Sequence, residues 1–261
     1  MENKGKVAIV SGGARGIGKA ICQRLAEAGA KVIVADLISD LAKETSNELN
    51  SKGYETLSYS VDLSKSEQIK RMIQFAVDNF GTLDILVNNA AIQIRRASEH
   101  FKEEDWDLIN DVNLKSHWIA SQEAAKIMLK KGSGSIICIA SGTASRATSH
   151  RSPYCITKAA VEGLARALGN EWARYGVRVN GVSPGWALTD MVKEGIRVGA
   201  VKQDEILPMM PIDRFLDPME IANTVNFLAS DQASGIIGQT IYCDGGGSIR
   251  CVPEQNYELE I

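Results

Sequence analysis

Lys158 follows Tyr154 by four residues, and Ser141 precedes Tyr154 by thirteen. A phenol and an ammonium at i and i+4 project from the same side of a helix, one turn apart. A phenol titrates near ~10, too high for easy proton exchange at neutral pH. A cation held beside it favours the phenolate and draws that value down, toward the range where a general acid–base is useful. The Ser141 hydroxyl would then hold a substrate oxygen next to the phenol. Taken alone, the pair also fits two residues sharing a surface helix face. A second signal at the other end of the chain weighs against that reading.

That signal is Lys6-Val-Ala-Ile-Val-Ser11 followed by Gly12-Gly-Ala-Arg-Gly16-Ile-Gly18. A short β-branched run leads into glycines, then into a segment with Ile21, Leu25 and Ala28 at helical spacing. Strand, glycine turn and helix are the context a dinucleotide loop requires. Gly12 permits the tight turn, Gly16 lets backbone approach a pyrophosphate, and Gly18 lets the helix pack on the strand. The helix N-terminus offers amide donors and a positive dipole end. The spacing is Gly-x-x-x-Gly-x-Gly, not the generic Gly-x-Gly-x-x-Gly. A second apolar run, Lys31-Val-Ile-Val-Ala-Asp36, ends in a carboxylate where a ribose would be read. An acid there accepts hydrogen bonds from ribose hydroxyls and repels a 2′-phosphate. Arg15 would suit such a phosphate, but a clash of two anions outweighs a mobile surface cation, so NAD is favoured over NADP.

Apolar runs at 6–11, 31–36, 55–60, 83–88, 134–140, 177–182 and 239–243 read as strands, alternating with helices near 17–29, 39–52, 65–80, 103–131, 153–175 and 218–230. Such alternation implies a seven-stranded parallel sheet, covered by helices on both faces and built with right-handed crossovers. A ligand then sits at the carboxyl edge, where the strand order reverses. Asp36, Asp62, Asn88 and Ser141 all fall at or just beyond strand ends. Ser152-Pro153 opens the helix that carries Tyr154, with Ser152 expected as its cap. Phe80-Gly81 and Tyr175-Gly176 read as helix C-termini. No repeat or linker divides the chain, so residues 1–261 are expected to form a single NAD(P)-binding domain.

With these motifs assembled, the chain resembles the short-chain dehydrogenase/reductase family over nearly its whole length. The likeness rests on Gly12-x-x-x-Gly16-x-Gly18, Asp62 in Val61-Asp-Leu63, Asn88-Asn-Ala-Ala91, Asn113, Ser141, Tyr154-x-x-x-Lys158, and Pro184-Gly185 with Thr189. It implies a Rossmann-like doubly wound fold, a nicotinamide cofactor and hydride transfer at an alcohol carbon. It also implies a catalytic tetrad of Asn113, Ser141, Tyr154 and Lys158, with Asn113 holding a water that relays protons from Lys158. The cofactor would meet Gly12, Arg15, Gly16, Ile17 and Gly18 at the loop, and Asp36 with Leu37 at the ribose. Asp62 and Leu63 would lie by the adenine. Asn89, Ala90 and Ala91 would border the adenosine ribose region. Tyr154, Lys158, Pro184, Gly185 and Thr189 would complete the nicotinamide side. Ser11 and Ala91 depart from the family's usual Thr and Gly without removing chemistry. The family also implies a homotetramer or homodimer.

Substrate signals are sparser. Ile92-Gln-Ile-Arg-Arg96 and Arg146-Ala-Thr-Ser-His150-Arg151 could ring the cleft with cations suited to a carboxylate or phosphate. Arg95, Ser141, Arg146, His150 and Trp186 are the candidate substrate contacts. Asn88-Asn-Ala-Ala-Ile-Gln-Ile-Arg95 and Asn170-Glu-Trp-Ala173 resemble gluconate 5-dehydrogenase-like enzymes, which favours a sugar acid or polyol. The alternatives are a hydroxysteroid dehydrogenase, a 3-oxoacyl carrier-protein reductase, or a non-enzymatic NAD-sensing regulator. The Met-bearing stretch 186–216 reads as a substrate lid, and 249–261 as a C-terminal tail.

With 44% hydrophobic and 23% charged residues in 261, the composition is that of a globular protein. A net charge of −3 gives no electrostatic footprint for nucleic acid or an anionic membrane. No apolar run approaches the ~20 residues that span a bilayer, and the opening residues lead straight into the first strand, so a cytoplasmic location is expected. Five irregularly spaced cysteines suggest neither a disulfide framework nor a metal site; Cys22 and Cys138 read as core residues.

Overall fold

A computed structural model describes residues 2–252. Seven parallel strands form one sheet: β1 (Val7–Ser11), β2 (Lys31–Asp36), β3 (Thr56–Ser60), β4 (Ile85–Asn88), β5 (Gly134–Ile139), β6 (Val177–Pro184) and β7 (Thr240–Cys243). Their order is β3-β2-β1-β4-β5-β6-β7, so the winding reverses between β1 and β4. The helices are α1 (Gly16–Glu27), α2 (Ser39–Ser51), α3 (Ser66–Phe80), α4 (Glu103–Asn110), α5 (Ser116–Lys131), α6 (Ser152–Trp172), α7 (Asp190–Arg197), α8 (Gln203–Ile206) and α9 (Pro218–Ala229). This is the Rossmann-like doubly wound architecture that the alternation of runs predicts. Among the described residues, no helix is long and apolar enough to cross a membrane.

Period-two alternation along the strands makes two cores. Ala8, Val10, Val32, Val34, Ile85 and Val87 face one way and pack against α1, α2 and α9. Val7, Ile9, Ile33, Ala35 and Leu86 face the other and pack against α3, α5 and α6. A strand buried on both faces has no polar side to present, which is why these runs read as continuously apolar. Cys22 and Cys138 are fully buried members of these layers.

Register carries the chemistry-bearing ends to one edge. Val10 pairs with Val34 on one side and Val87 on the other, so Ser11, Asp36 and Asn88 emerge together. Gly81 and Gly176 end their helices at φ 79° and 80°, the left-handed conformation that favours glycine. The cap of α6 differs from expectation: Arg151 occupies the cap position without a side-chain bond, and Ser152 already lies within the helix, its Oγ 2.7 Å from that of Ser98. The stretch read as one helix over 103–131 is interrupted by a π-turn, Asp111–Lys115, between α4 and α5. Of the tail, positions from 253 on lie outside the described residues.

Candidate active site

The glycine turn closes against the end of β4. Ser11 Oγ accepts hydrogen bonds from the amides of Asn89 (3.0 Å) and Ala90 (3.2 Å), while Asn89 Nδ2 donates to the carbonyls of Ser11 (2.9 Å) and Gly12 (3.0 Å). The hydroxyl at position 11 thus has a structural task that either Ser or Thr can perform. Gly18 is irreplaceable on geometry, because a Cβ there would lie 1.9 Å from the Gly12 carbonyl oxygen. Gly16 adopts φ +55° at the start of α1, facing the Thr189 methyl. The first turn of α1 contains no acidic residue, so its positive end is uncompensated and open to an anion. Arg15 is exposed beside it.

Asp36 stands half-buried at the end of β2. Its Oδ2 accepts from the Ala14 amide at 3.2 Å and its Oδ1 from the Ile38 amide at 3.1 Å. Each oxygen keeps lone pairs for further donors, such as a pair of ribose hydroxyls. Leu37 beside it is 67% exposed, an apolar surface available to a ligand. Asp62 caps its own turn by accepting from Ser64, and Leu63 packs on the core beneath. A helix end open to an anion, a fixed carboxylate one strand away and the exposed apolar side chain of Leu37 together fit a dinucleotide.

Across the β1–β4 reversal lies the second group. Lys158 is the largest fully buried side chain, 1% exposed, and its Nζ donates to the Ile139 carbonyl at 2.7 Å. Burial without a paired carboxylate lowers its pKa to about 8. Its Nζ lies 5.8 Å from the centroid of the Tyr154 ring. Tyr154 corrects one expectation. Burial pushes its phenol above the usual value, opposed by a hydrogen bond with Ser141 and by the Arg151 charge; the Lys158 ammonium is not among the groups that lower it. Desolvation thus outweighs charge at this phenol. The Ser141 Oγ also accepts from Thr143 N at 3.2 Å, which fixes the hydroxyl at the end of the chain leaving β5.

Asn113 sits in the π-turn, fully buried, its side chain paired with the Ile92 backbone (Oδ1 from N at 2.8 Å, Nδ2 to O at 2.9 Å). A π-turn re-aims one side chain without ending the helix, and such turns recur at functional sites. Tyr154, Ser141 and Trp186 line a cavity of about 430 Å³ together with Arg146, Arg151, Pro184 and Gly185. Two candidate substrate residues stand apart from it. Arg95 is exposed outside the lining, and His150 is exposed at φ 62° with its carbonyl held by the Arg96 amide. Arg146 reaches the cavity but its guanidinium is bound to the Gly247 carbonyl.

Three residues enter that the sequence reading did not single out for the site. His117 is 1% exposed, its Nε2 is 3.5 Å from the Ala90 carbonyl, and its Nδ1 has no partner. Burial and the nearby Lys158 charge lower its pKa to about 3. Its sole sequence signal was four-residue spacing from Asn113, too common to single out. The acids Glu205 and Asp244 also line the cavity.

A family model described as Enoyl-(Acyl carrier protein) reductase matches residues 12–248. The chain is 38% identical over 242 residues to a 3-oxoacyl-(acyl-carrier-protein) reductase of Staphylococcus epidermidis, covering 92% of this chain and 98% of that one. It superposes with a TM-score of 0.90 on a proposed gluconate dehydrogenase of Agrobacterium tumefaciens, at 33% identity over 95% and 97% of the two chains. A gluconate 5-dehydrogenase of Burkholderia cenocepacia, in complex with NADP and tartrate, gives 0.88 at 32% identity over 94% and 96%.

Proposed function

The chain belongs to the short-chain dehydrogenase/reductase family, oxidoreductases of alcohol and keto groups, and from that premise we propose that it prefers NAD(H) and acts on a sugar acid or polyol. The observation that carries the catalytic reading is that Ser141 and Tyr154 line one cavity, with the buried Lys158 Nζ 5.8 Å from the Tyr154 ring centroid. When bound, the nicotinamide supplies or accepts the hydride. In reduction Tyr154 gives its proton to the substrate oxygen while the Ser141 hydroxyl holds that oxygen; in oxidation the same phenol, deprotonated, takes the proton back. A phenol raised by burial stays protonated at neutral pH, which suits the reductive direction. Lys158 replenishes the proton, and Asn113 fixes the Ile92 backbone along the relay.

Asp36 supports the coenzyme preference. Its oxygens are pinned by two backbone amides, so it cannot swing aside for a 2′-phosphate as a free side chain would. The Burkholderia neighbour carries NADP, which makes this residue the one to test. The whole chain acts as one unit in this reading, with 186–216 as the lid that excludes water. The gluconate dehydrogenase neighbours support the sugar acid or polyol. A carrier-protein reductase is the second reading, supported by the Staphylococcus relative and by apolar Ile206, Met209 and Met210 in the cavity wall.

The test is a screen of sugar acids, polyols, steroids and acyl thioesters, with NAD(H) and NADP(H) in parallel. Turnover of a sugar acid or polyol with NAD(H) is expected. Turnover confined to thioesters with NADPH would install the second reading, and NADH binding without any hydride transfer would leave a sensor.

A further inference from the structure

Arg151 lies three residues before Tyr154, and its half-buried guanidinium forms part of the cavity wall. Its Cζ stands 6.0 Å from the centroid of the Trp186 ring, which also lines the cavity. Among the described residues it forms no salt bridge and its guanidinium donates no hydrogen bond. The charge it feels most is another cation, Arg95.

Apart from Arg95, the neighbouring charges are already engaged. Arg96 pairs with Asp105 at 2.9 Å, and Arg146 is bound to the Gly247 carbonyl. Of the acids facing the cavity, Glu205 pairs with Lys202 at 2.7 Å, while Asp244 accepts from the amides of Gly246 (3.0 Å) and Ser248 (2.7 Å). Among the described residues, no acid of the wall pairs with Arg151. A guanidinium keeps its proton and offers five donors, so withdrawing it partly from water without a partner is costly. That cost is recovered when an anion enters. The planar fork matches a carboxylate in two parallel hydrogen bonds, and stacking on an indole face holds the fork in one orientation.

We propose that Arg151, held by Trp186, is a carboxylate subsite, so the substrate is a hydroxy or keto acid whose carboxylate binds Arg151 while its reacting carbon reaches Tyr154. The inference rests on the oxidoreductase reading and adds to it the charge of the substrate. It sets acids apart from neutral polyols and from thioesters.

The experiment uses the full chain as wild type, Arg151→Gln and Arg151→Lys, with NAD⁺ and NADP⁺. The probes are acids paired with their neutral amides: D-gluconate and D-gluconamide, D-glycerate and glyceramide, 3-hydroxybutyrate and its amide. The readout is the amide-to-acid ratio of KM, which cancels whatever loss of the cation does to Tyr154 itself. In wild type the acid is expected to bind about 10- to 100-fold better, the range of a charge-assisted hydrogen bond. The ratio should collapse toward one in Arg151→Gln and recover in part in Arg151→Lys. Amides handled as well as acids in every active pair overturn the subsite and leave the oxidoreductase reading standing. So does a ratio that Arg151→Gln leaves unchanged. If no alcohol is turned over, the oxidoreductase reading fails, and calorimetry decides the subsite by itself: one of the three acids binding the wild-type protein with NADH but not Arg151→Gln supports it, and no difference overturns it.

Discussion

At Tyr154, burial and charge pull in opposite directions, and burial prevails. The i, i+4 spacing announces that Tyr154 and Lys158 share a helix face, but spacing carries no information about depth. The phenol's environment was therefore illegible from sequence, and so was the half-burial of Arg151. Tyr154→Phe should lower kcat by about 10²- to 10⁴-fold, the range of a lost general acid–base, while NADH binding by fluorescence titration stays near wild type. Turnover within a few-fold of wild type would remove the phenol from the chemistry. Lys158, lowered to about 8, should impose its own limit: a reduction that needs the ammonium holds its rate below that pH and loses it above. A pH profile of kcat checks the sign. Asp36→Ala should shift the ratio of kcat/KM for NAD over NADP by about 10- to 100-fold toward NADP, since it removes hydrogen bonds to a charged acceptor.

The elements were more legible than their interruptions. Strand boundaries agree within about two residues because runs such as Val32–Ala35 are buried on both faces, and nothing polar blurs their ends. The π-turn at Asp111–Lys115 was hidden: one extra residue in a helix leaves the apolar period almost intact on either side. The short helices α7 and α8 were hidden too, being too brief for a periodic signal. Gly18 shows the reverse case, a single residue whose requirement was legible and whose cause is now visible. Gly18→Ala places a methyl on the Gly12 carbonyl, a strain of about 3 kcal/mol at the upper end of overpacking. It should lower Tm by roughly 6–12 °C in a domain of this size. Gly53→Ala, with φ +88° but nothing within 4 Å, should cost only about 1–2 kcal/mol. Calorimetry of both variants separates contact from backbone strain.

For the molecule as a whole, acid stability depends on a residue that the sequence reading passed over. His117 is held neutral to about pH 3 in the folded chain, against an ordinary 6.5. The unfolded chain therefore takes up the proton first. The contribution of His117 to stability is complete above about 6.5 and declines as pH falls toward 3. His117→Gln should flatten the fall in Tm between pH 7 and pH 4 relative to wild type, and parallel curves for the two proteins would exclude the histidine as the cause. The doubly wound layout itself was legible because alternating strands and helices admit few arrangements. The Ser11–Asn89 clasp across β1 and β4 has a longer reach. It ties the cofactor half of the cleft to the register of the sheet, where a slip of one residue would turn every neighbouring side chain inside out. The opposite half is built from connecting segments such as 186–216, which are held among themselves (Leu216 N to Trp186 O, Leu188 N to Leu216 O) and to the turn after β7 (Ile212 N to Gly245 O), outside the β1–β4 register. Descendants of this chain can therefore trade one substrate for another by rewriting a loop, and inherit their redox partner unchanged.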